Sequence, residues 1–258
     1  MISKAILLAA GRGTRLGSRV VDRPKCLLPL GAGETLLSRL LRQYAAAGLT
    51  GVTIVSGYQA EQIAEAVNSA PLPVDLVENR LFDGTNNMFS LALGLPCTGE
   101  SLIFGNADVV YDESLFMAFV KTAPLDSIPV HVRAYLDESM KVEVAHDQRI
   151  VRIAKDVTKE RALGISLDMY KLSQITVTKL REIILTQYLA RGRLHEWAEV
   201  ALNDVLSVAR FTPWDIQGRP WIEVDTPEDL EEARRLVATR EGVSEGTIPV
   251  QQRDAGLK

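Results

Sequence analysis

The sequence predicts an α/β fold built on a doubly wound sheet. Residues 6–9 form a continuously apolar run, which is typical of a strand buried on both faces of a parallel sheet. Strand-like and helix-like segments then alternate as far as residue 77, which is the pattern of this fold class. The composition agrees, because 47% apolar and 24% charged residues over 258 positions are typical of a globular protein with a sizeable core.

The elements of the first third of the chain follow in order from local patterns. After the first strand comes a loop rich in Gly, Arg and Pro over residues 11–33. Apolar side chains then recur at helical spacing from Leu36 to Tyr44, and Gly48 ends that helix. The remaining elements of this part are strands at residues 52–55 and 74–77 and a helix at residues 60–67.

The pattern changes after Gly84, where several strand-like segments follow one another with short turns between them. Such a series predicts an antiparallel extension of the sheet. The predicted strands are residues 101–104, 128–135, 141–145, 149–153 and 221–224. The predicted helices are residues 113–121, 177–190, 196–208 and 227–237, the last with a proline in its first turn.

No repeat, heptad or long linker divides the chain, so we expect a single domain over residues 1–240. Apolar periodicity is lost from residue 241 to residue 258, where Glu, Gly, Ser, Gln and Asp are frequent. This composition predicts a disordered tail.

Charge, cysteine content and hydropathy exclude several classes of protein. The 29 Lys and Arg against 33 Asp and Glu give a net charge of −4, which disfavours nucleic acid as a partner. Cys26 and Cys97 form no C-x-x-C pair, so we expect two reduced thiols. The N-terminal apolar run is too short to span a membrane and carries no cleavage site. We therefore expect a cytoplasmic protein without a membrane partner.

A glycine-rich loop directly follows the first strand, with the sequence LAAGRGTRL over residues 8–16. Its glycines let the backbone approach a ligand closely and aim N–H groups at phosphate oxygens. Thr14 can add a hydroxyl donor and Arg15 a bidentate contact. Lys25 follows Pro24 in a stiffened segment and can reach the same phosphates. The pattern predicts a phosphate-binding loop.

Other interpretations of this loop fit less well. A dinucleotide-binding fingerprint needs Gly-x-Gly-x-x-Gly and an acid after the second strand. The glycines here stand at positions 11, 13 and 17, and the second strand ends in Ser-Gly-Tyr at residues 56–58. A P-loop needs Gly-Lys-Ser or Gly-Lys-Thr, which is absent. A glycine-rich turn with surface arginines and no ligand stays open on these residues alone.

Two carboxylates follow apolar strands in distant parts of the chain. Asp108 comes after residues 101–104, and Asp225 comes after residues 221–224. Ligands of α/β proteins bind at the carboxyl ends of parallel strands, and two such acids could hold one Mg²⁺. Asp225 fits a helix start equally well, with Asp225 or Thr226 as N-cap.

The pattern L-A-A-G-x-G-x-R-L followed by Arg-Pro-Lys at residues 23–25 resembles the signature of nucleotidyltransferases. These enzymes join a nucleoside monophosphate to a phosphorylated metabolite. The stretch E-V-D-T-P-E-D-L at residues 223–230 resembles a second motif of that family. N-x-x-S-L at residues 87–91 and M-K-V at residues 140–142 resemble segments of its phosphocholine cytidylyltransferase branch. The resemblance implies a Rossmann-like, three-layer α/β/α fold with a mainly parallel, mixed central sheet.

The resemblance also implies a role for each matching residue. Lys25, Arg15 and Lys155 would stabilise phosphate charge, and Asp108 and Asp225 would bind Mg²⁺ as the cofactor. The nucleotide-binding residues would be Leu8, Ala9, Ala10, Gly11, Arg12, Gly13, Thr14, Gly57, Tyr58, Asn86, Asn87, Ser90 and Asn106. The candidate acceptor-binding residues are Tyr111, Glu199 and Asn203.

Several of these residues also have an ordinary structural interpretation. Gly57 and Tyr58 fit a plain strand-to-helix turn, and Asn86 fits a helix N-cap. Lys155 fits a solvated surface lysine, and Glu199 and Asn203 fit a solvated helix face.

The reaction implied is transfer of a nucleoside monophosphate, CMP from CTP above all, to a phosphorylated or phosphonylated small molecule, with release of pyrophosphate. A sugar-1-phosphate nucleotidyltransferase that uses UTP, GTP or dTTP is the nearest alternative. An NAD(P)-dependent oxidoreductase and a nucleotide-binding protein without turnover are more distant ones. Choline phosphate, an aminoalkyl phosphonate, an inositol phosphate and a sugar phosphate stay open as acceptors, and so does assembly into a homo-oligomer.

Overall fold

A ten-stranded mixed sheet with helices on both faces forms the centre of the fold. The computed structural model describes residues 2–241. The strands are β1 (Lys4–Ala9), β2 (Pro29–Gly31), β3 (Glu34–Thr35), β4 (Gly51–Ser56), β5 (Val74–Glu78), β6 (Leu102–Asn106), β7 (Val109–Tyr111), β8 (Ser127–Val132), β9 (Lys141–Val144), β10 (Ile150–Ala154), β11 (Ala162–Ser166), β12 (Met169–Leu172), β13 (Thr212–Asp215) and β14 (Trp221–Glu223). The α-helices are α1 (Leu36–Ala46), α2 (Ala60–Ala66), α3 (Asn87–Gly94), α4 (Glu113–Thr122), α5 (Gln174–Ile183), α6 (Ala198–Val205) and α7 (Pro227–Glu241).

The strand order in the central sheet is β10-β9-β11-β8-β12-β6-β1-β4-β5, with β13 paired to β8. The strands β6, β1, β4 and β5 are parallel to one another. Antiparallel pairing begins at β12 and continues to β10, so β10, β11 and β12 run against the other seven strands. This arrangement confirms the mainly parallel, mixed sheet with an antiparallel extension.

The alternation of side chains along β1 divides the core into two layers. Ile6 and Leu8 pack against α3, α5 and α6 on one face of the sheet. Ala5, Leu7 and Ala9 pack against α1, α2 and α4 on the other face. Both faces of β1 are covered, which is why its sequence is apolar without alternation. The three-layer α/β/α architecture is thus confirmed.

A smaller apolar cluster attaches the C-terminal helix to the glycine-rich region. Leu230, Ala233 and Leu236 of α7 are buried there together with Leu16 and Leu30. The strand that precedes α7, β14, pairs with β7 in a separate two-stranded sheet. The C-terminal part of the chain therefore returns to the edge of the sheet where β1 and β6 end.

The structure differs from the predicted elements mainly in the antiparallel extension. Strands β11 and β12 were not predicted, because they are only five and four residues long and contain Gly164 and Lys171. The strand predicted over residues 128–135 ends at Val132, since Arg133 adopts a positive φ of 68°.

The helix predicted over residues 177–190 begins earlier, at Gln174, where the Ser173 side chain caps it. Its α-helical part ends at Ile183 and continues as a π-helical turn. Of the predicted tail, only Glu241 belongs to the described residues, as the last residue of α7. Within residues 2–241, no helix combines the length and apolar character needed to cross a bilayer.

Candidate active site

A cavity of about 1160 Å³ lies where β1 and β6 end. In the parallel register Leu8 lies opposite Asn106, and the Ala107 amide donates to the Leu8 carbonyl at 3.0 Å. The glycine-rich loop and Asp108 therefore leave the sheet side by side. The predicted site residues in the cavity wall are Leu8, Ala9, Gly11, Gly13, Thr14, Arg15, Lys25, Asn87, Asn106, Asp108, Lys155, Glu199 and Asp225.

The glycine-rich loop holds the stem of Lys25 against its backbone. Gly13 adopts the left-handed conformation, with φ 66° and ψ 35°, and stands at the N-cap position of the 3₁₀ segment Thr14–Val20, which is kinked at Gly17. A Cβ at this position would lie 3.0 Å from the Lys25 Cβ and 3.1 Å from its Cδ. Position 13 therefore favours glycine for two reasons: the backbone has a positive φ, and the Lys25 side chain lies where a Cβ would be.

Lys25 bridges the two carboxylates predicted as metal ligands. Its Nζ donates to Asp108 Oδ2 at 2.7 Å and to Asp225 Oδ1 at 2.8 Å, and the lysine is almost fully buried. Burial alone would lower the pKa of Lys25, but the charges and hydrogen bonds of the two acids raise it above its usual value. Arg15 forms a further ion pair with Asp225 Oδ2 at 2.9 Å. Lys25 is thus held as a cation.

Backbone pairing brings these two distant acids together. The Val224 amide donates to the Asp108 carbonyl at 2.9 Å, next to the pairing of β14 with β7. The start of α7 is capped reciprocally by Thr226 and Asp229, since the Asp229 amide donates to Thr226 Oγ1 at 3.2 Å and the Thr226 amide to Asp229 Oδ2 at 2.8 Å. Thr226, not Asp225, serves as the cap, so the Asp225 carboxylate is left to the cavity.

A third carboxylate, Glu223, joins this pair. One oxygen each of Asp108, Glu223 and Asp225 lies within 4.8 Å of the other two. Burial, followed by the neighbouring charges of Asp108 and Asp225, raises the pKa of Glu223 to about 8. Asp108 Oδ1 is buried and has no hydrogen-bond partner within the described part of the chain. An all-oxygen donor set with an unpartnered, buried oxygen fits a divalent cation such as Mg²⁺.

Groups from the antiparallel extension and from the start of α6 line another part of the cavity wall. Lys155 Nζ lies 5.0 Å from the centre of the Trp197 ring and 3.7 Å from Glu138 Oε2. Glu199 is buried and accepts a hydrogen bond from the Tyr170 hydroxyl at 2.6 Å through Oε1. These groups place one cation and one carboxylate away from the glycine-rich loop but in the same cavity.

Asp168 adds a half-buried carboxylate to the cavity wall. It lies between β11 and β12 with φ 51°, and its Oδ2 accepts from Asn106 Nδ2 at 3.3 Å. Burial, followed by the charges of Glu223 and Glu199, raises the pKa of Asp168 well above its usual range. The centre of the cavity is therefore acidic, with Lys25, Arg15 and Lys155 around it.

Eight predicted site residues lie outside the cavity wall. They are Ala10, Arg12, Gly57, Tyr58, Asn86, Ser90, Tyr111 and Asn203.

The acceptor role predicted for Tyr111 and Asn203 is not supported. Tyr111 is buried in the core, where its hydroxyl donates to the Leu167 carbonyl at 2.9 Å. Asn203 exchanges two hydrogen bonds with the backbone of Ile153, at 2.9 and 2.7 Å, and so braces strand β10. Both side chains are occupied in holding the fold.

The amide-rich segment before α3 also has structural duties. Ser90 is buried outside the cavity wall and accepts from Asn79 Nδ2 at 3.0 Å, so the nucleotide contact predicted for it has no support in this structure. Asn86 is the N-cap of α3, and its Nδ2 donates to the His195 carbonyl at 3.3 Å. Asn87 Oδ1 accepts from the Ala198 amide at 2.8 Å and fixes the start of α6. Of these side chains, Asn87 reaches the cavity wall.

Arg12, Gly57 and Tyr58 form a small cluster beside the glycine-rich loop. The Arg12 guanidinium lies 5.3 Å from the centre of the Tyr58 ring and forms an ion pair with Asp83 at 2.8 Å. The Tyr58 hydroxyl donates to the Val21 carbonyl. A Cβ on Gly57 would lie 2.7 Å from the Ala10 carbonyl oxygen, so glycine permits close packing at this turn.

Glu223 and Asp168 are two wall residues to which the sequence patterns assigned no role. Glu223 precedes Asp225 by two positions at the end of a strand, and residues two apart on a strand share a face. That spacing could have identified it. Asp168 carried no comparable signal, because neither β11 nor β12 was predicted around it.

The Rossmann-like fold, the glycine-rich loop after β1 and the lysine-bridged carboxylates together define the nucleotidyltransferase class. A family model described as the MobA-like NTP transferase domain matches residues 5–184. The chain belongs to this family.

Among curated proteins, the chain is 29% identical over 244 residues to the "Bifunctional IPC transferase and DIPP synthase" of Rubrobacter xylanophilus. The match covers 90% of this chain and 51% of that protein, so the chain spans about half the length of this relative.

Among solved structures, the inositol-1-phosphate CTP transferase from T. maritima has a TM-score of 0.77 at 20% identity, over 94% of this chain and 98% of that one. The CTP:phosphocholine cytidylyltransferase of Streptococcus pneumoniae has a TM-score of 0.73 at 20% identity, over 92% of this chain and 100% of that one. At these identities the likeness to both structures shows the shared fold.

Proposed function

We propose that this protein is a Mg²⁺-dependent nucleotidyltransferase that transfers CMP from CTP to a phosphorylated or phosphonylated small molecule and releases pyrophosphate. The observation that carries the proposal is Lys25, a buried cation bonded to two carboxylates at 2.7 and 2.8 Å, directly beside a glycine-rich loop. The relatives support CTP as the nucleotide, because two structures of the same fold carry CTP in their names.

The chain supplies charge and position rather than a covalent nucleophile. Backbone amides of residues 11–15 would bind the triphosphate, and Arg15 would add a bidentate contact to it. Lys25 would neutralise the charge that develops on the α-phosphate and on departing pyrophosphate. Lys155, across the cavity, would hold the acceptor phosphate so that its oxygen attacks in line.

The metal would be held by Asp108 and Asp225, with Glu223 beside them. When bound, Mg²⁺ supplies Lewis-acid polarisation of phosphate oxygens. Lys25 contacts one oxygen of each aspartate, which leaves Asp108 Oδ1 without a hydrogen-bond partner among the described residues and Asp225 Oδ2 paired with Arg15.

The test is pyrophosphate release by the whole chain with CTP, UTP, GTP and dTTP. Each nucleotide is paired with choline phosphate, an aminoalkyl phosphonate, an inositol phosphate and a sugar phosphate. We expect turnover with CTP and one acceptor class, dependent on added Mg²⁺. Preference for another nucleotide would overturn the choice of CTP, and folded protein that releases no pyrophosphate from any pair would overturn the proposed reaction.

Lys25→Met and Lys171→Met make a matched pair of variants for this assay. Each removes one buried ammonium group and keeps most of the side-chain length. Lys171 donates to the Val120 carbonyl at 2.8 Å and lies outside the cavity wall. Turnover should be lost in Lys25→Met and kept in Lys171→Met.

A further inference from the structure

The segment between β8 and β9 forms one side of the cavity without regular secondary structure. Residues 133–140 all belong to the cavity wall, which makes this the longest continuous stretch of chain in it. The segment begins at Arg133 with φ 68° and runs through Tyr135 and Glu138. A wall of this kind needs fixed points if it is to hold a substrate in one position.

Lys141 supplies such a fixed point from beneath the segment. It is the first residue of β9, its side chain is 1% exposed, and it does not belong to the cavity wall. Its Nζ donates to the Asp137 carbonyl at 2.7 Å and to the Leu136 carbonyl at 3.3 Å. The same ammonium lies 4.9 Å from the centre of the Tyr135 ring. One buried cation thus contacts three consecutive wall residues.

A buried ammonium group is costly unless its donors are satisfied, so these contacts hold the lysine and the segment to each other. The next residue of the segment, Glu138, is the ion-pair partner of Lys155 at 3.7 Å. Lys141 thus holds the carbonyls of residues 136 and 137, and the adjoining Glu138 pairs with Lys155. A shift of the segment would therefore move Glu138 relative to Lys155.

We propose that Lys141 is a positioning residue for the acceptor, acting through residues 133–140 without touching substrate. The inference rests on the proposed function, since it assigns this wall to the acceptor and the glycine-rich loop to the nucleotide. Loss of the Lys141 ammonium should weaken acceptor binding and leave nucleotide binding unchanged, because the two walls are built on different strands.

Lys171 provides the matched control. It is also a buried lysine on a strand of the extension, and it also donates to backbone carbonyls, those of Val120 and Ala123. Those carbonyls belong to the end of α4 and lie outside the cavity wall. Lys141→Met and Lys171→Met should both lower the free energy of unfolding. Only Lys141→Met should loosen residues 133–140 of the cavity wall.

Two measurements on the full chain separate the outcomes. In hydrogen exchange, amides of residues 133–140 should exchange roughly tenfold faster or more in Lys141→Met, and at the wild-type rate in Lys171→Met. In pyrophosphate release, the KM for the acceptor should rise roughly tenfold in Lys141→Met, with the KM for CTP within about twofold. Lys141→Arg, which keeps the charge, should restore part of the loss. If Lys141→Met does not fold, Lys141→Gln takes its place.

Unchanged exchange across residues 133–140 in Lys141→Met would overturn the proposal. So would equal changes in the two KM values, or the same KM shift in Lys171→Met. Wild-type protein that turns over no acceptor would instead overturn the proposed function, and hydrogen exchange would still decide whether Lys141 fixes the segment.

Discussion

Adding a single methyl group at Gly13 should inactivate the enzyme through Lys25. Gly13→Ala places a residue with a Cβ at φ 66°, which costs roughly 1–2 kcal/mol for an L-residue. The new Cβ would also lie 3.0, 3.1 and 3.3 Å from three carbons of the Lys25 stem. Ordinary carbon contacts are about 3.5–4.0 Å, so the stem must shift by several tenths of an ångström. A misplacement of about 1 Å can cost a reaction roughly 100-fold.

We therefore expect kcat/KM to fall roughly 10- to 100-fold in Gly13→Ala while the protein stays folded. Gly192→Ala is the control, because Gly192 has φ 71° and ψ 15° and an added Cβ would meet nothing within 4 Å. Both variants should lose free energy of unfolding in urea through the positive φ, and Gly13→Ala should lose more because of its contact with the Lys25 stem. Pyrophosphate release measured on both would refute the reasoning if Gly13→Ala kept kcat/KM within about twofold of Gly192→Ala.

Three further predictions concern the charged groups of the cavity. In the absence of nucleotide, Lys25→Met should bind Mn²⁺ roughly tenfold more tightly than the wild type, because no ammonium group competes for the carboxylates. Calorimetry measures this affinity, and equal affinity in the two proteins would contradict the prediction. Asp108→Asn and Asp225→Asn should each lower kcat/KM roughly 100-fold or more, and the double variant little further; additive losses in a Mg²⁺ titration would contradict a shared ion. Because its pKa is raised, Asp168 stays protonated in the folded protein above about pH 4, where the same group is ionised in the unfolded chain. Its contribution to the free energy of unfolding therefore decreases as the pH rises from about 4 towards the raised pKa of the folded state. The free energy of unfolding of Asp168→Asn, relative to that of the wild type, should therefore increase from acidic to alkaline pH in urea titrations. A difference between the two proteins that does not change with pH would contradict the raised pKa of Asp168.

The features predictable from the sequence are those encoded by local patterns. The loop over residues 8–16 and the acids at 108 and 225 were identified because each follows an apolar strand, and Lys25 because it follows Pro24 in a stiffened segment after the loop. The structure brings Lys25, both acids and most of the loop to one cavity. The strands of the parallel half were predicted for the same reason, since burial on both faces leaves a continuous apolar signal.

The features that escaped prediction depend on contacts between distant segments. Strands β11 and β12 are short and gain their pairing from β8, β9 and β6, so no local periodicity marks them. From the sequence alone Lys141 would be assigned to the surface, because lysine is rarely buried. In the structure it is buried, with partners that only the fold supplies. Tyr111 reads as a candidate ligand-binding aromatic, yet its strand turns the ring into the core.

The hydrogen bond from Val224 to Asp108 has a consequence for how the chain becomes active during synthesis. The loop with Lys25 and the strands β1, β4 and β6 leave the ribosome long before β14 does, and chains grow at about 5–20 residues per second. Until β14 pairs with β7, Lys25 has Asp108 as a partner but not Asp225. A partly made or partly refolded chain therefore lacks half of the proposed metal site, and activity should appear only when the C-terminal strand closes onto the body of the protein.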